Sequence, residues 1–383
     1  MFVTRIQLKN WKNFREVDVG LGRRTFIIGP NASGKSNFLD AFRFLRDVSE
    51  WGLKQSVEER GGISRLRCLS AKRPDFNVSI CVILDSEWKY EISFHGKGKE
   101  DAKIVSENVW NSTARNENWD VVLSRPDEDD IRDPARLTQT ALEQVNTNKD
   151  FREIPNFFKT ITYRHILPQA VRDAKGFSPI PLRNDPFGRD FVFQIWNTTP
   201  KTRTSRLEKI SKVLKLVIPF LEALDVQMDK ATGIPHIIAR YTNWRARGVT
   251  QDESSLSDGT LRLLALLWSL FERSGPLLLE EPELSLHDEA VRQLPAMFDA
   301  IGRAKQTRMR QIILSTHSEA MLSDEGIGPY EVLRLDPSKD GTVAYVASQS
   351  DAELMKSEGL TAADVILPKS KPQGINQLSL LDL

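Results

Sequence analysis

The sequence predicts an α/β protein: a mainly parallel, helix-covered sheet with an antiparallel β subdomain and a helical lobe beside it. Three observations carry this expectation. A buried-strand run, Thr25-Phe26-Ile27-Ile28, passes through a glycine-containing loop into a helix; β-type runs alternate with polar turns from about residue 76 to 123; strands and helices alternate after residue 250.

In chain order, Phe2 to Leu8 alternates as a half-buried strand, and Phe38, Leu39, Phe42 and Leu45 recur at helical spacing after the loop. Short strands are expected at Phe76 to Leu84, Trp88 to Phe94 and Val121 to Leu123. Residues 134–160 and 203–225 read as helices. In the second, Leu207, Ile210, Leu214, Val217, Ile218 and Leu221 form an apolar stripe with Arg206, Lys209, Lys212 and Lys215 largely opposite, a solvated face or a nucleic-acid contact. Thr260 to Phe271 and Asp288 to Ile301 read as helices; Pro276 to Leu279, Gln311 to Ser315, Glu331 to Leu335 and Val343 to Ala347 read as strands. The boundaries divide the chain into an N-terminal lobe (1–133), a helical lobe (134–250), a C-terminal lobe (251–350) and a terminal helix and tail (351–383).

Composition excludes several classes. With 40% hydrophobic and 27% charged residues, and Lys+Arg 53 against Asp+Glu 52, the chain is neither disordered nor surrounded by a general basic field. Cys68 and Cys81 form no CxxC pair and have no His cluster, which argues against a disulfide framework or a structural zinc site. The longest apolar run, Leu263 to Phe271, is shorter than the roughly 18 residues of a membrane helix, and the N-terminus lacks a signal-peptide core. A cytoplasmic protein with no membrane partner is expected.

Gly29-Pro30-Asn31-Ala32-Ser33-Gly34-Lys35-Ser36, followed by Asn37, fits GxxxxGK[ST] between a buried strand and a helix. Backbone N–H groups there cradle phosphates, Lys35 reaches the β and γ phosphates, and the Ser36 hydroxyl is placed to ligate Mg²⁺. The apolar strand Leu277-Leu278-Leu279 ends in Glu280-Glu281-Pro282-Glu283. We assign Glu280 to Mg²⁺ through water and Glu281 to polarising the attacking water, with Glu283 in reserve. Ser255-Leu256-Ser257-Asp258-Gly259-Thr260 opens an apolar helix, where Ser257 or Asp258 serves as N-cap. His317 stands in Ser315-Thr316-His317-Ser318 after a buried strand.

The order of these four motifs resembles the ABC-type ATPases, and among them the RecF-like, SMC-like and OLD-like branch of DNA repair and defence. Ile6-Gln7-Leu8-Lys9-Asn10-Trp11-Lys12-Asn13-Phe14 and the run Phe26 to Asn37 look like the head of that branch, and the resemblance covers residues 1–50 and about 250–320. It implies a P-loop ATPase head using ATP and Mg²⁺, in which Ser257 and Gly259 of one copy contact the γ-phosphate held by another. It also implies that His317 is the switch histidine and that Ser285-Leu286-His287 links the two sites. Glu280 stands where most members carry Asp, Asp258 replaces the signature's first glycine, and Gln169 is the candidate for the Q-loop glutamine.

The resemblance implies an ATP-driven switch, a homodimer or higher oligomer, controlling double-stranded DNA or a separate nuclease or toxin effector. The alternatives are a membrane transporter's ATPase subunit and an OLD-like nuclease. The nuclease is disfavoured because the residues after His317 are too few for a further catalytic domain on the order of 100 residues, and Asp336 and Asp340 are not spaced as a DxD pair. Gln377 to Leu383 resembles a peptide that docks on the replication sliding clamp, a further candidate partner.

Overall fold

The computed structural model describes residues 1–70, 77–96, 102–112, 118–173, 185–242, 248–272, 275–303 and 310–370. They form two compact units: Met1–Thr162 with Ser274–Leu278 and Arg310–Leu383, and Tyr163–Arg273 with Leu279–Met309.

The first unit opens with β1 (Val3–Trp11) and β2 (Phe14–Gly20), an antiparallel pair with Arg5 opposite Gly20, then β3 (Arg24–Ile28) and α1 (Lys35–Trp51). β4 (Val78–Leu84), β5 (Trp88–His95), β6 (Lys103–Asn111) and β7 (Asp120–Arg125) extend β1 into a six-stranded sheet ordered β2-β1-β4-β5-β6-β7. This is the expected antiparallel subdomain, enlarged by β6. The α1 side chains Phe38, Phe42 and Phe44 are fully buried, with Phe44 stacked on Phe94 at 5.3 Å between centroids and tilted against Trp11 at 5.2 Å. Such aromatic pairs add to the stabilisation from apolar burial.

A second six-stranded sheet, mixed in direction, is ordered β15-β14-β3-β13-β12-β8. Its other members are β8 (Thr162–Arg164), β12 (Leu277–Glu280), β13 (Ile312–Ser315), β14 (Val332–Asp336) and β15 (Val343–Val346). β3 runs parallel to both β13 and β14, with Ile27 opposite Ser315 and Leu333, and β14 pairs antiparallel with β15.

The second unit contains α2 (Pro200–Val217), a three-stranded antiparallel sheet ordered β11-β10-β9 (β9 Leu221–Met228, β10 Pro235–Tyr241, β11 Val249–Asp252) and α3 (Asp258–Phe271). Three expectations need correction. The helix expected over 203–225 ends at Val217, and Leu221 onward pairs with β10. Within 134–160 only Glu153–Lys159 is α-helical, beside two short 3-10 turns. The helix expected over 288–301 is two helices, Asp288–Arg292 and Leu294–Arg303.

A buried ionic cluster ties β5, β6 and β7 to the segment that follows them. Glu107, fully buried, accepts from Tyr90 Oη at 3.0 Å, Arg125 Nη1 at 3.0 Å and the Ala141 N–H at 2.8 Å, while Arg125 grips Asp130 at 2.8 and 2.9 Å. Burial pushes the Glu107 pKa up, and the three converging donors oppose that shift.

Candidate nucleotide-binding site

The phosphate loop joins β3 to α1 within the first unit. Gly34 has φ 98°, a left-handed conformation that favours glycine, and a Cβ there would fall 2.1 Å from the Asn13 amide. A Cβ at Gly29 would lie 2.4 Å from the Leu335 carbonyl oxygen. The Lys35 ammonium donates to the carbonyls of Gly29 at 2.9 Å and Pro30 at 3.2 Å, so it lies within its own loop. No side chain caps the first turn of α1, and the Ser33 hydroxyl is buried with no hydrogen-bond partner. A helix N-terminus without a side-chain cap, a buried hydroxyl and an ammonium around one tight loop fit a phosphate group. Ser36 is exposed at the start of α1, as a metal-ligating hydroxyl requires.

The turn between β1 and β2 braces this loop. Asn13 Nδ2 donates to the Ser33 carbonyl at 2.9 Å and to Thr342 Oγ1 at 2.7 Å; Thr342 Oγ1 donates to the same carbonyl at 2.9 Å; Asn37 Nδ2 donates to Asn13 Oδ1 at 2.8 Å. Lys12, next in the turn, pairs with Asp40 of α1 at 2.6 Å. Burial alone would raise the Asp40 carboxyl, but Arg60, Lys12 and Arg43 together hold it down at about 2. His317 lies in the same unit. Its strand partner Ser315 is opposite Ile27, and the Thr316 N–H donates to the Ile27 carbonyl at 3.0 Å. Exposed His317 thus leaves β13 at the level where Gly29 leaves β3.

The carboxylates belong to the second unit. Glu280 ends β12, half-buried, and accepts a hydrogen bond from the Tyr163 hydroxyl on β8; His165 Nδ1 lies 3.3 Å from the Glu280 carbonyl. Glu281 follows at φ 42°, a left-handed backbone that costs a non-glycine residue about 1 kcal/mol and is retained where surroundings enforce it. Glu283 is the buried member of the trio, 8% exposed. Sequence reasoning missed Tyr163 and His165 because they lie far along the chain from the acids. Gln169 is instead held by Asp173 at 3.0 and 3.1 Å on an exposed helical turn.

Ser257 caps α3, its Oγ accepting from the Thr260 N–H at 3.2 Å, as the sequence suggests. Arg172 Nη2 donates to Asp258 at 2.5 Å and to the Leu256 carbonyl at 2.7 Å, clasping the same motif. A Cβ on Gly259 would lie 2.6 Å from the Ser285 carbonyl oxygen, so only glycine lets α3 approach the Ser285-Leu286-His287 loop this closely. Burial lowers the Arg262 pKa, opposed by the nearby Asp258, Glu281 and Glu283.

The basic stripe on α2 is partly spent on packing. Arg206 lies over Trp268 at 5.1 Å and Lys209 over Phe271 at 5.9 Å, leaving Lys212 and Lys215 exposed. The clamp-like peptide Gln377 to Leu383 lies outside the described residues. Among the described residues no helix is long and apolar enough to cross a membrane.

Over 371 residues the chain is 22% identical to the OLD nuclease of Thermus scotoductus, covering 91% of this chain and 65% of that protein. Over 108 residues it is 40% identical to the endonuclease GajA of Bacillus cereus, 28% of this chain and 16% of that protein. The chain thus spans less than two thirds of the length of either relative. Its fold is similar to an SMC head crystallised with the C-terminal winged-helix domain of ScpA: TM-score 0.54, 16% identity, 92% of this chain and all of that one. It is also similar to the Smc head of Pyrococcus furiosus with an extended coiled coil, bound to the C-terminal domain of ScpA: TM-score 0.50, 13% identity, 93% and 99% coverage. The α/β head expected from the motifs is therefore the fold observed. Residues 24–323, which include the phosphate loop, the paired carboxylates and His317, match the family described as "AAA domain, putative AbiEii toxin, Type IV TA system", and the chain belongs to that family.

Proposed function

We propose that the protein is an ATP-binding and ATP-hydrolysing switch of DNA maintenance or anti-phage defence, working in the cytoplasm. The observation that carries this reading is the loop Gly29 to Ser36, whose Lys35 ammonium is already turned inward between the strand and the uncapped helix. In this reading Gly29 to Asn37 hold the triphosphate, Ser36 and Glu280 serve Mg²⁺, Glu281 orients the attacking water and His317 senses the γ-phosphate. Bound Mg²⁺ supplies charge neutralisation at the phosphates. Lys35 steadies the transferring group and Glu281 accepts the proton of the water. The left-handed backbone at Glu281 supports its special placement.

Ser257 and Gly259 are proposed to reach the γ-phosphate of a second copy, so that ATP closes a head-to-tail dimer and hydrolysis releases it. The exposure of Ser257 at the tip of α3 supports a role toward another molecule. The closed state is proposed to control double-stranded DNA or an effector, a nuclease or toxin; the relatives named as nucleases support an effector of that chemistry. The lobes 1–133, 134–250 and 251–350 remain the proposed working divisions of the chain.

The deciding experiment measures ATP hydrolysis and ATP-dependent mass in solution for wild type, Lys35→Ala, Glu281→Gln and Ser257→Arg. The expected result is no nucleotide binding in the first variant, a stalled dimer in the second and a nucleotide-bound monomer in the third. Wild-type hydrolysis by Glu281→Gln would remove its assignment, and loss of nucleotide binding by Ser257→Arg would remove the role in trans.

A further inference from the structure

We infer that Tyr163 is a positioning residue for Glu280, fixing a metal-side acid whose side chain is one methylene longer than aspartate. The inference rests on the nucleotide reading above and deepens it. Tyr163 sits at the centre of β8, its ring buried to 7% exposure, and its hydroxyl donates to Glu280 Oε2 across to the neighbouring strand. The backbone of the same glutamate is met from the same segment by His165. Glu280 is therefore approached at both its carboxylate and its carbonyl by residues of one segment.

The physical argument concerns freedom. A glutamate has one more rotatable bond than an aspartate, so a carboxylate at the end of a strand sweeps a larger volume and loses more entropy when a cation fixes it. A phenol on a packed ring removes that freedom beforehand by holding one carboxylate oxygen in place. Arg164, between the two aromatic residues, is itself tied to Glu272 at 3.6 Å and to Gln194 at 3.1 Å, so the residue that follows the phenol is also anchored. Shortening the acid to aspartate withdraws the carboxylate from the hydroxyl and makes the phenol irrelevant.

The test is a double-mutant cycle on the full chain: wild type, Tyr163→Phe, Glu280→Asp and the double variant. Mn²⁺ is titrated into each ADP-loaded protein and followed by its EPR signal, and the Mg²⁺ concentration for half-maximal ATP hydrolysis is measured alongside. Tyr163→Phe is expected to weaken Mn²⁺ binding three- to ten-fold, to raise the Mg²⁺ requirement by the same factor, and to leave metal-free ADP affinity unchanged. In the Glu280→Asp background the same replacement is expected to change neither quantity. Unchanged Mn²⁺ affinity in Tyr163→Phe, or an equal loss in both backgrounds, overturns the inference. A wild type that binds neither ADP nor Mn²⁺ overturns the underlying nucleotide reading instead. Should Tyr163→Phe lower the melting temperature, Glu280→Gln supplies a second arm. It keeps an acceptor for the phenol but removes the charge, so it is expected to lose Mn²⁺ while the fold is retained, and full Mn²⁺ affinity there overturns the assignment.

Discussion

The side-chain amide of Asn13 donates to the main-chain carbonyl of Ser33 at 2.9 Å, so the turn between the first two strands holds the floor of the phosphate loop. Thr342 shares that carbonyl and so provides partial backup. Asn13→Ala is expected to fold and to weaken ATP binding about five-fold, the worth of one hydrogen bond of about 1 kcal/mol. Titration with a fluorescent ATP analogue reads this directly, and an unchanged affinity would show that the loop keeps its shape unaided.

Gly259→Ala is expected to separate binding from hydrolysis. Its new methyl group meets a backbone oxygen, not a flexible tip, so the Ser285 loop has to shift. Overpacking of this kind costs about 1–3 kcal/mol of stability. Hydrolysis should fall at least ten-fold while ATP binding by the loop of the first unit persists. Full hydrolysis in this variant would mean that the approach of α3 to Ser285 is not needed for turnover.

The carboxyl of Asp40 makes the brace around α1 sensitive to acid. Its pKa in the folded chain, about 2 against an ordinary 3.8, is lowered, so its stabilisation is present above pH 4 and is lost as the pH falls through 2. The difference corresponds to about 2 kcal/mol. Urea unfolding of wild type and Asp40→Asn at pH 6, 4 and 2 should show the gap between them narrowing by that amount. A constant gap would assign the acid response to other groups.

Both cysteines should be silent toward thiol reagents in the folded protein. Cys68 is 1% exposed, and burial pushes the Cys81 thiol up to about 12, far from the thiolate needed for reaction. A chromogenic disulfide reagent at pH 8 should react only after denaturant is added; rapid labelling without it would show that β4 or the segment carrying Cys68 opens.

Legibility in the sequence followed contiguity. The loop Gly29 to Ser36 announces itself within eight adjacent residues and folds as read, and the N-cap at Ser257 needs only Thr260. β6 was hidden because Glu107 occupies a fully buried position in Lys103–Asn111, so the apolar alternation breaks where Tyr90 and Arg125 supply the missing partners. β9 was hidden for the opposite reason. Leu221-Glu222-Ala223-Leu224 is made of good helix formers, and only pairing with β10 overrides that preference. The partner of Glu280 was beyond reach of any local reading, since Tyr163 lies 117 positions away.

The place of β3 between β13 and β14 bears on how the chain comes off the ribosome. Gln311 clasps Val3, 308 positions earlier, through both its N–H and its carbonyl, at the entrance to β13. Until that stretch has been synthesised, Phe26, Ile27 and Ile28 have no neighbour on either side, and the loop they carry has no frame to hold its left-handed turns. The first motif to be translated is thus among the last to take shape. A newly made chain thus carries an apolar strand with an unpaired edge on each side until β13 and β14 have been made, open meanwhile to pairing with other chains.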